Sequence, residues 1–138
     1  VSIDSILKRM KTIAVVGFSK DPSKESHSVS IYMREHGYEI IPVNPTAEEI
    51  MGLRSYPSLL AIPDDLKKRI DVINIFRRPN DVPPVVDDAI KLKNLTKKPL
   101  AIWMQLGIVN EEAAKQARVA GIEVVMDACI RTEHRKRL

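Results

Sequence analysis

Groups able to hold phosphate oxygens gather in one short stretch of this chain. Gly17 is followed by Phe18-Ser19-Lys20-Asp21-Pro22-Ser23-Lys24-Glu25-Ser26. A glycine lets the backbone turn sharply. Free N–H groups, the Ser19 hydroxyl, the Lys24 ammonium and the start of a helix at Ser26 are the donors that anion sites use. His27 adds one more. Further on, Arg77 and Arg78 offer guanidinium forks that match phosphate oxygens. Val43 and Pro45 could flank a flat base around the Asn44 turn, and Met104 and Gln105 supply an apolar contact and an amide. The pattern departs from the dinucleotide fingerprint. Only the first of its three glycines is present, and Asn44 stands where an NAD-binding domain places Asp or Glu on the ribose. Gly17 as an ordinary turn glycine, Asn44-Pro45 as a structural turn and Arg77-Arg78 as a solvated pair remain the competing readings.

No catalytic constellation assembles from the sequence. Cys129, His134 and Asp127 could be named as a triad, but five residues of separation near the end of the chain define no geometry. A mixed disulfide between Cys129 and a ligand thiol is the more interesting use of this unpaired cysteine. His36 falls near a helix end, where a dipole partner is commoner than a base. A single Cys and scattered His residues make no closed metal site, so neither a metal nor a catalytic residue is expected.

The candidate residues follow strand-like runs that must position them. Thr12 to Phe18, Glu39 to Val43, Asp71 to Phe76, Leu100 to Met104 and Ile122 to Met126 are continuous apolar stretches, as in strands covered on both faces. Helix-period segments lie between them. Ser26 is expected to cap a helix running to about His36, Pro83 to Ile90 mark a second, and Asn110 caps a third. Ser2 to Met10 reads as a short helix. Pro45 to Pro63 is expected to form a helical turn plus loop. The β-α-β alternation predicts an α/β fold, a Rossmann-like, doubly wound, mostly parallel five-stranded sheet in three α/β/α layers with strand order 3-2-1-4-5. In such sheets ligands sit beyond the carboxyl ends of the strands. Trp103, within the fourth run, is expected in the core.

Composition sets the frame. At 138 residues and 44% hydrophobic content, one core and one domain over 1–138 are expected. The formal charge of +4, with both signs mixed along the chain, suits an anionic ligand. A lone cysteine and the lack of a long apolar run point to a cytoplasmic protein with no membrane segment and no signal peptide. Few glutamines, nine prolines and many charged residues are in keeping with a thermophile.

Val15-Val16-Gly17-Phe18-Ser19, Gly37-Tyr38 through Ile41-Pro42-Val43-Asn44-Pro45, Tyr56-Pro57-Ser58-Leu59, Phe76-Arg77-Arg78-Pro79 and Trp103-Met104-Gln105-Leu106-Gly107 occur in one order and spacing. Together they resemble the stand-alone CoA-binding domain proteins of prokaryotes, from about Lys11 to Glu133. That family is similar to the CoA-binding half of the succinyl-CoA synthetase α subunit. The resemblance implies coenzyme A as ligand, with Gly17, Phe18, Ser19, Lys24 and Ser26 at its phosphates and Val43, Asn44 and Pro45 at adenosine. It also implies that Phe76, Arg77 and Arg78 border the ligand and that Met104 and Gln105 line the pantetheine path. Lys24 stands where relatives commonly have Arg, and Ala128 replaces an Arg common between Asp127 and Cys129. The first change keeps the charge and loses the fork. The second leaves Asp127 and Cys129 without that neighbour.

The resemblance implies a binding protein for CoA or an acyl-CoA, without catalysis of its own. An NAD(P)-binding oxidoreductase or redox sensor is the alternative, lacking the glycine fingerprint and a second domain. Nucleic-acid binding would rest on Arg131, Arg135, Lys136 and Arg137, a short run read as a solvated tail helix, and is not expected. Exposed sheet edges leave room for a homodimer or a separate catalytic partner.

Overall fold

A computed structural model describes residues 2–137. In chain order, helix α1 (Ile3–Arg9) precedes strand β1 (Thr12–Val16), helix α2 (Glu25–Glu35) and strand β2 (Glu39–Val43). A small hairpin follows, β3 (Glu49–Ile50) and β4 (Leu53–Arg54), then a 3-10 turn (Leu59–Ala61) and the short helix α3 (Asp64–Lys67). Strand β5 (Val72–Ile75) leads through a 3-10 turn (Pro79–Asp81) into helix α4 (Val82–Thr96). Strand β6 (Ala101–Met104), helix α5 (Glu111–Val119), strand β7 (Glu123–Val125) and helix α6 (Ile130–Lys136) complete the order.

The five long strands form one parallel sheet, as their unbroken apolar runs require, with side chains buried on both faces. Ala14, Val16, Ile73, Ile75, Ile102 and Met104 pack toward α4, α5 and the 3-10 turn at Leu59. Ile13, Val15, Val72, Trp103 and Val125 pack toward α1, α2 and α6 through Ile6, Val29, Met33 and Ile130. The layers are therefore α/β/α. Trp103 is fully buried, with its indole N–H donating to the Ala128 carbonyl at 2.8 Å.

The strand order corrects the expected 3-2-1-4-5. It is β2-β1-β5-β6-β7, or 2-1-3-4-5 when the five sheet strands are counted alone. The cause lies in which face each connection covers. Val29 and Met33 of α2 pack on one face, whereas Leu59 and Ile62, in the connection from β2 to β5, pack on the other. Right-handed crossovers on opposite faces carry the chain in opposite directions along the sheet. The connection after β2 thus returns past β1 and lays β5 on its far side, and the crossovers through α4 and α5 continue that way. Direction reverses at β1, so the crevice that such sheets use for ligands opens between β1 and β5.

At the amino end the same strand pair is pinned by one carboxylate. Asp71 accepts from the N–H groups of Lys11 (2.8 Å) and Thr12 (3.1 Å) and pairs with Lys98 at 2.6 Å, its side chain only 8% exposed. Three charge-assisted bonds offset the cost of burying it. Asn110 caps α5 as expected, accepting from the Ala113 N–H at 3.0 Å. The solvated tail is a correction. Ile130 and His134, four residues apart, form one buried stripe that docks α6 on the domain.

Candidate functional site at the carboxyl end of the sheet

Gly17 leaves β1 with φ +84°, and a Cβ built on it would stand 2.4 Å from the Phe76 carbonyl oxygen. Two bonds hold the neighbouring strands here: the Gly17 N–H donates to Val43 O at 3.1 Å and the Phe76 N–H to Val16 O at 2.8 Å. The residue is glycine both for its left-handed backbone and for this approach of β5. The Arg77 side chain lies beside it, with Cδ 3.5 Å from the same Cβ position. Gly17, Phe76 and Arg77 are thereby brought together where the strand order reverses. Arg78 is exposed instead and pairs with Asp81 at 3.3 Å.

The loop beyond Gly17 is internally braced. The Ser26 Oγ accepts from the Ser19 N–H at 2.9 Å, the Ser19 Oγ from the Asp21 N–H at 3.1 Å, and Asp21 Oδ1 from the Ser23 N–H and hydroxyl at 3.0 and 2.8 Å. Those Ser23 bonds, backbone first, hold the Asp21 carboxyl below its ordinary range. Ser26 is therefore not the N-cap. Helix α2 starts two residues earlier than that cap would place it, at Glu25, and its N-cap, Lys24, makes no side-chain capping bond because its chain ends in an ammonium donor. The result is an uncapped helix N-terminus, positive at its dipole end, beside an exposed lysine. His27 is 8% exposed, packs its ring edge-on to the fully buried Phe18 at 5.7 Å, and leaves Nδ1 without a partner.

Asn44 joins the loops after β1 and β2. Its Nδ2 donates to Phe18 O at 2.8 Å, while Oδ1 accepts from the Thr46 N–H and hydroxyl at 2.8 and 2.9 Å. Asn44 and Pro45 border a cavity of about 910 Å³ formed under the hairpin loop from Asn44 to Pro57. Ser55 lines it and was not foreseen. Its residue is 6% exposed and its hydroxyl is buried without a partner. A smaller cavity of about 120 Å³ lies against Val16, Val43, Leu59, Arg77 and Val85. Val43, itself 2% exposed, reaches that smaller cavity and not the one beside Asn44 and Pro45.

Met104 and Gln105 are corrections to the expected mouth of the site. Met104 is fully enclosed among core side chains. Gln105 is 4% exposed, and its Oε1 accepts from the Ile130 N–H at 3.0 Å, which anchors the start of α6. Cys129, half-buried, precedes that helix. Burial pushes its thiol up, but hydrogen bonds from the Thr132 N–H and hydroxyl, the Gln105 amide and the Arg131 N–H outweigh this and leave it below its ordinary value of 9.0. Arg131 links α6 to the first turn of α2 through Glu25 at 3.4 Å. Cys129 and His134 form no pair, for His134 is bonded to Tyr32. Among the described residues no group of three or more His, Cys, Asp or Glu could hold a metal ion. No helix among them is long and apolar enough to cross a membrane.

Comparison with known proteins agrees with this architecture. An uncharacterized protein of Bacillus subtilis (strain 168), YneT, is 43% identical over 132 residues, 96% of this chain and 91% of that protein. A solved structure described as a hypothetical protein from Pyrococcus horikoshii OT3 superposes with a TM-score of 0.87 at 39% identity, covering 97% of this chain and 88% of that one. The Archaeoglobus fulgidus acetate–CoA ligase [ADP-forming] II is 37% identical over 62 residues, 44% of this chain but 9% of the ligase. The family model described as CoA binding domain matches residues 11–135, so the chain belongs to the CoA binding domain family.

Proposed function

We propose that this protein binds coenzyme A or an acyl-CoA at the carboxyl end of its sheet, as a binding module without turnover. The observation that carries the proposal is the uncapped N-terminus of α2, set beside Lys24 and reached through the Gly17 turn. Helix N–H groups, the helix dipole and a cation together favour a diphosphate. Arg77, beside Gly17, adds a guanidinium from the other side of the crevice. Asn44 and Pro45 take the adenosine end, where the large cavity and the unsatisfied Ser55 hydroxyl offer room and a polar partner. Phe76, half-buried, borders the pantetheine arm, while Met104 and Gln105 act from behind by fixing β6 and α6. Family membership supports the ligand.

Thermal-shift measurements with CoA, acetyl-CoA, NAD, NADP and ATP side by side test this. A ligand that binds only the folded chain at a hundred times its Kd adds about 2.7 kcal/mol. CoA or acetyl-CoA should stabilise most, and stabilisation by NADP without CoA would refute the proposal.

Cys129, unpaired, half-buried and at the N-cap of α6, favours a second reading, redox capture of CoA. The Cys129 thiolate would attack CoA disulfide, forming a protein–CoA disulfide and releasing one CoA thiolate. Intact-protein mass spectrometry after incubation with CoA disulfide should show one added CoA moiety, and an unchanged mass would reject it.

A further inference from the structure

At the opposite, amino end of the sheet, α1, α6 and the residue preceding β2 enclose a cavity of about 540 Å³. Asp4, Leu7, Lys8, Tyr38, His134 and Arg137 line it. We infer that this cavity is a second ligand site, built for a small organic anion whose oxyanion head meets His134, Lys8 and Tyr38 while its apolar body lies over Leu7.

His134 is 4% exposed, and its Nδ1 lies 2.8 Å from the Tyr32 hydroxyl. A phenol is a far stronger acid than a neutral imidazole N–H, so Tyr32 donates and the ring proton sits on Nε2. That Nε2–H has no protein acceptor among the described residues, and the cavity is the open space against the ring. Burial, and secondarily the neighbouring His36, hold His134 below its ordinary value of 6.5, which keeps a neutral N–H donor at pH 7. The ring is fixed by edge contacts to Tyr32, His36 and Tyr38, with centroids 5.5, 5.3 and 5.5 Å away. A donor set in such a frame is preorganised.

The charges around it are unequal. Arg137 is shared between Asp4 at 2.5 Å and Glu133 at 2.6 Å, so both nearby carboxylates are already engaged. Lys8 forms no ion pair, and the Tyr38 hydroxyl makes no hydrogen bond, among the described residues. An imidazole N–H, an ammonium and a phenol thus line one cavity, and its carboxylate is neutralised. Convergent donors over an apolar floor are what a small-ligand pocket needs.

Histidine ring signals report the site directly. The full chain at pH 7.5 is titrated with sodium benzoate and, separately, with inorganic phosphate, against sodium chloride at matched ionic strength. A saturable shift of the His134 ring with benzoate assigns a carboxylate head, and one with phosphate assigns a phosphate head; either supports the site. Lys8→Ala, at an exposed position, and Tyr38→Phe, which keeps the ring, should each weaken that binding at least fivefold. No saturable shift with either probe, an equal shift with chloride, or unchanged binding in both variants would overturn the inference. None of these residues belongs to the CoA crevice, so the two sites fail or stand separately.

Discussion

Gly17 and Phe76 meet so closely that the carbonyl oxygen of Phe76 occupies the place of a Cβ on Gly17, 2.4 Å from its ideal position. The contact joins β1 to β5 at the crevice, so one glycine serves both the sheet and the turn that opens the anion loop. A bulkier residue at 17 would disrupt the domain before it tested ligand approach.

Gly37 supplies the control. It too has a left-handed backbone, φ +94°, but nothing lies within 4 Å of its Cβ position. Gly37→Ala should cost about 1–2 kcal/mol from backbone strain alone. Gly17→Ala should cost about 3 kcal/mol or more, since β5 must also move. Urea denaturation checks both, and equal costs would show that the Phe76 contact does not matter.

Lys24 and Arg77 are the cleaner probes of binding. Lys24 is exposed, so alanine there should change folding stability by no more than about 0.5 kcal/mol, whereas half-buried Arg77 should cost about 1 kcal/mol on truncation. Each substitution should weaken CoA about tenfold, the loss of one charge-assisted phosphate bond, while pantetheine without phosphates is barely affected. Calorimetric titration of both ligands measures this. Equal losses for both would remove these residues from the phosphate site.

The strands, the α5 cap and the turn at Gly17 were legible because each follows from local chemistry. Five apolar runs need burial on both faces, and Asn110 offers a short side-chain acceptor to an N–H three residues on. Strand order was not local. It depended on which face Leu59 and Ile62 would cover, and a segment full of prolines and charges gave no periodicity to decide it. The β3–β4 hairpin was hidden for another reason. Its two-residue turn places Met51 and Gly52 at φ 56° and 73°, a geometry usually marked by Asn-Gly or Asp-Gly. With the hairpin unseen, the cavity and Ser55 were unseen too. Met104 and Gln105 were placed correctly at a strand's carboxyl end, but Met104 turns into the core beneath α4 and α5, and Gln105 is bonded to the start of α6. Lys24 occupies the N-cap position that composition assigned to Ser26, and the exchange leaves the helix end open for an anion.

Cys129 should react as a thiolate below its ordinary range. Alkylation by iodoacetamide, followed against pH, is expected to have its midpoint below 9.0. Thr132→Ala removes a hydroxyl donor to the sulfur and should raise that midpoint. A wild-type midpoint at or above 9.0 would mean that burial prevails over those bonds.

His134 sets a pH dependence of stability. Its folded-state value lies below 6.5, so in the window below pH 6.5 the unfolded chain binds more protons than the folded one. Stability should therefore fall as pH drops from about 7 to about 5.5, above the range where ordinary carboxylates titrate. Urea midpoints, read together with the His134 ring titration, check the sign. Stability rising toward acid would contradict a buried neutral imidazole.

The most direct test of CoA binding is a map of where CoA touches the chain. In a titration of uniformly ¹⁵N-labelled protein followed by amide ¹H–¹⁵N spectra, the largest shifts should fall at residues 17–26, at Asn44 to Ala47, and at Phe76 and Arg77. Lys8 and Arg137, at the far end of the sheet, should stay still. Absence of any saturable shift, or shifts that leave the first turn of α2 unmoved, would contradict it.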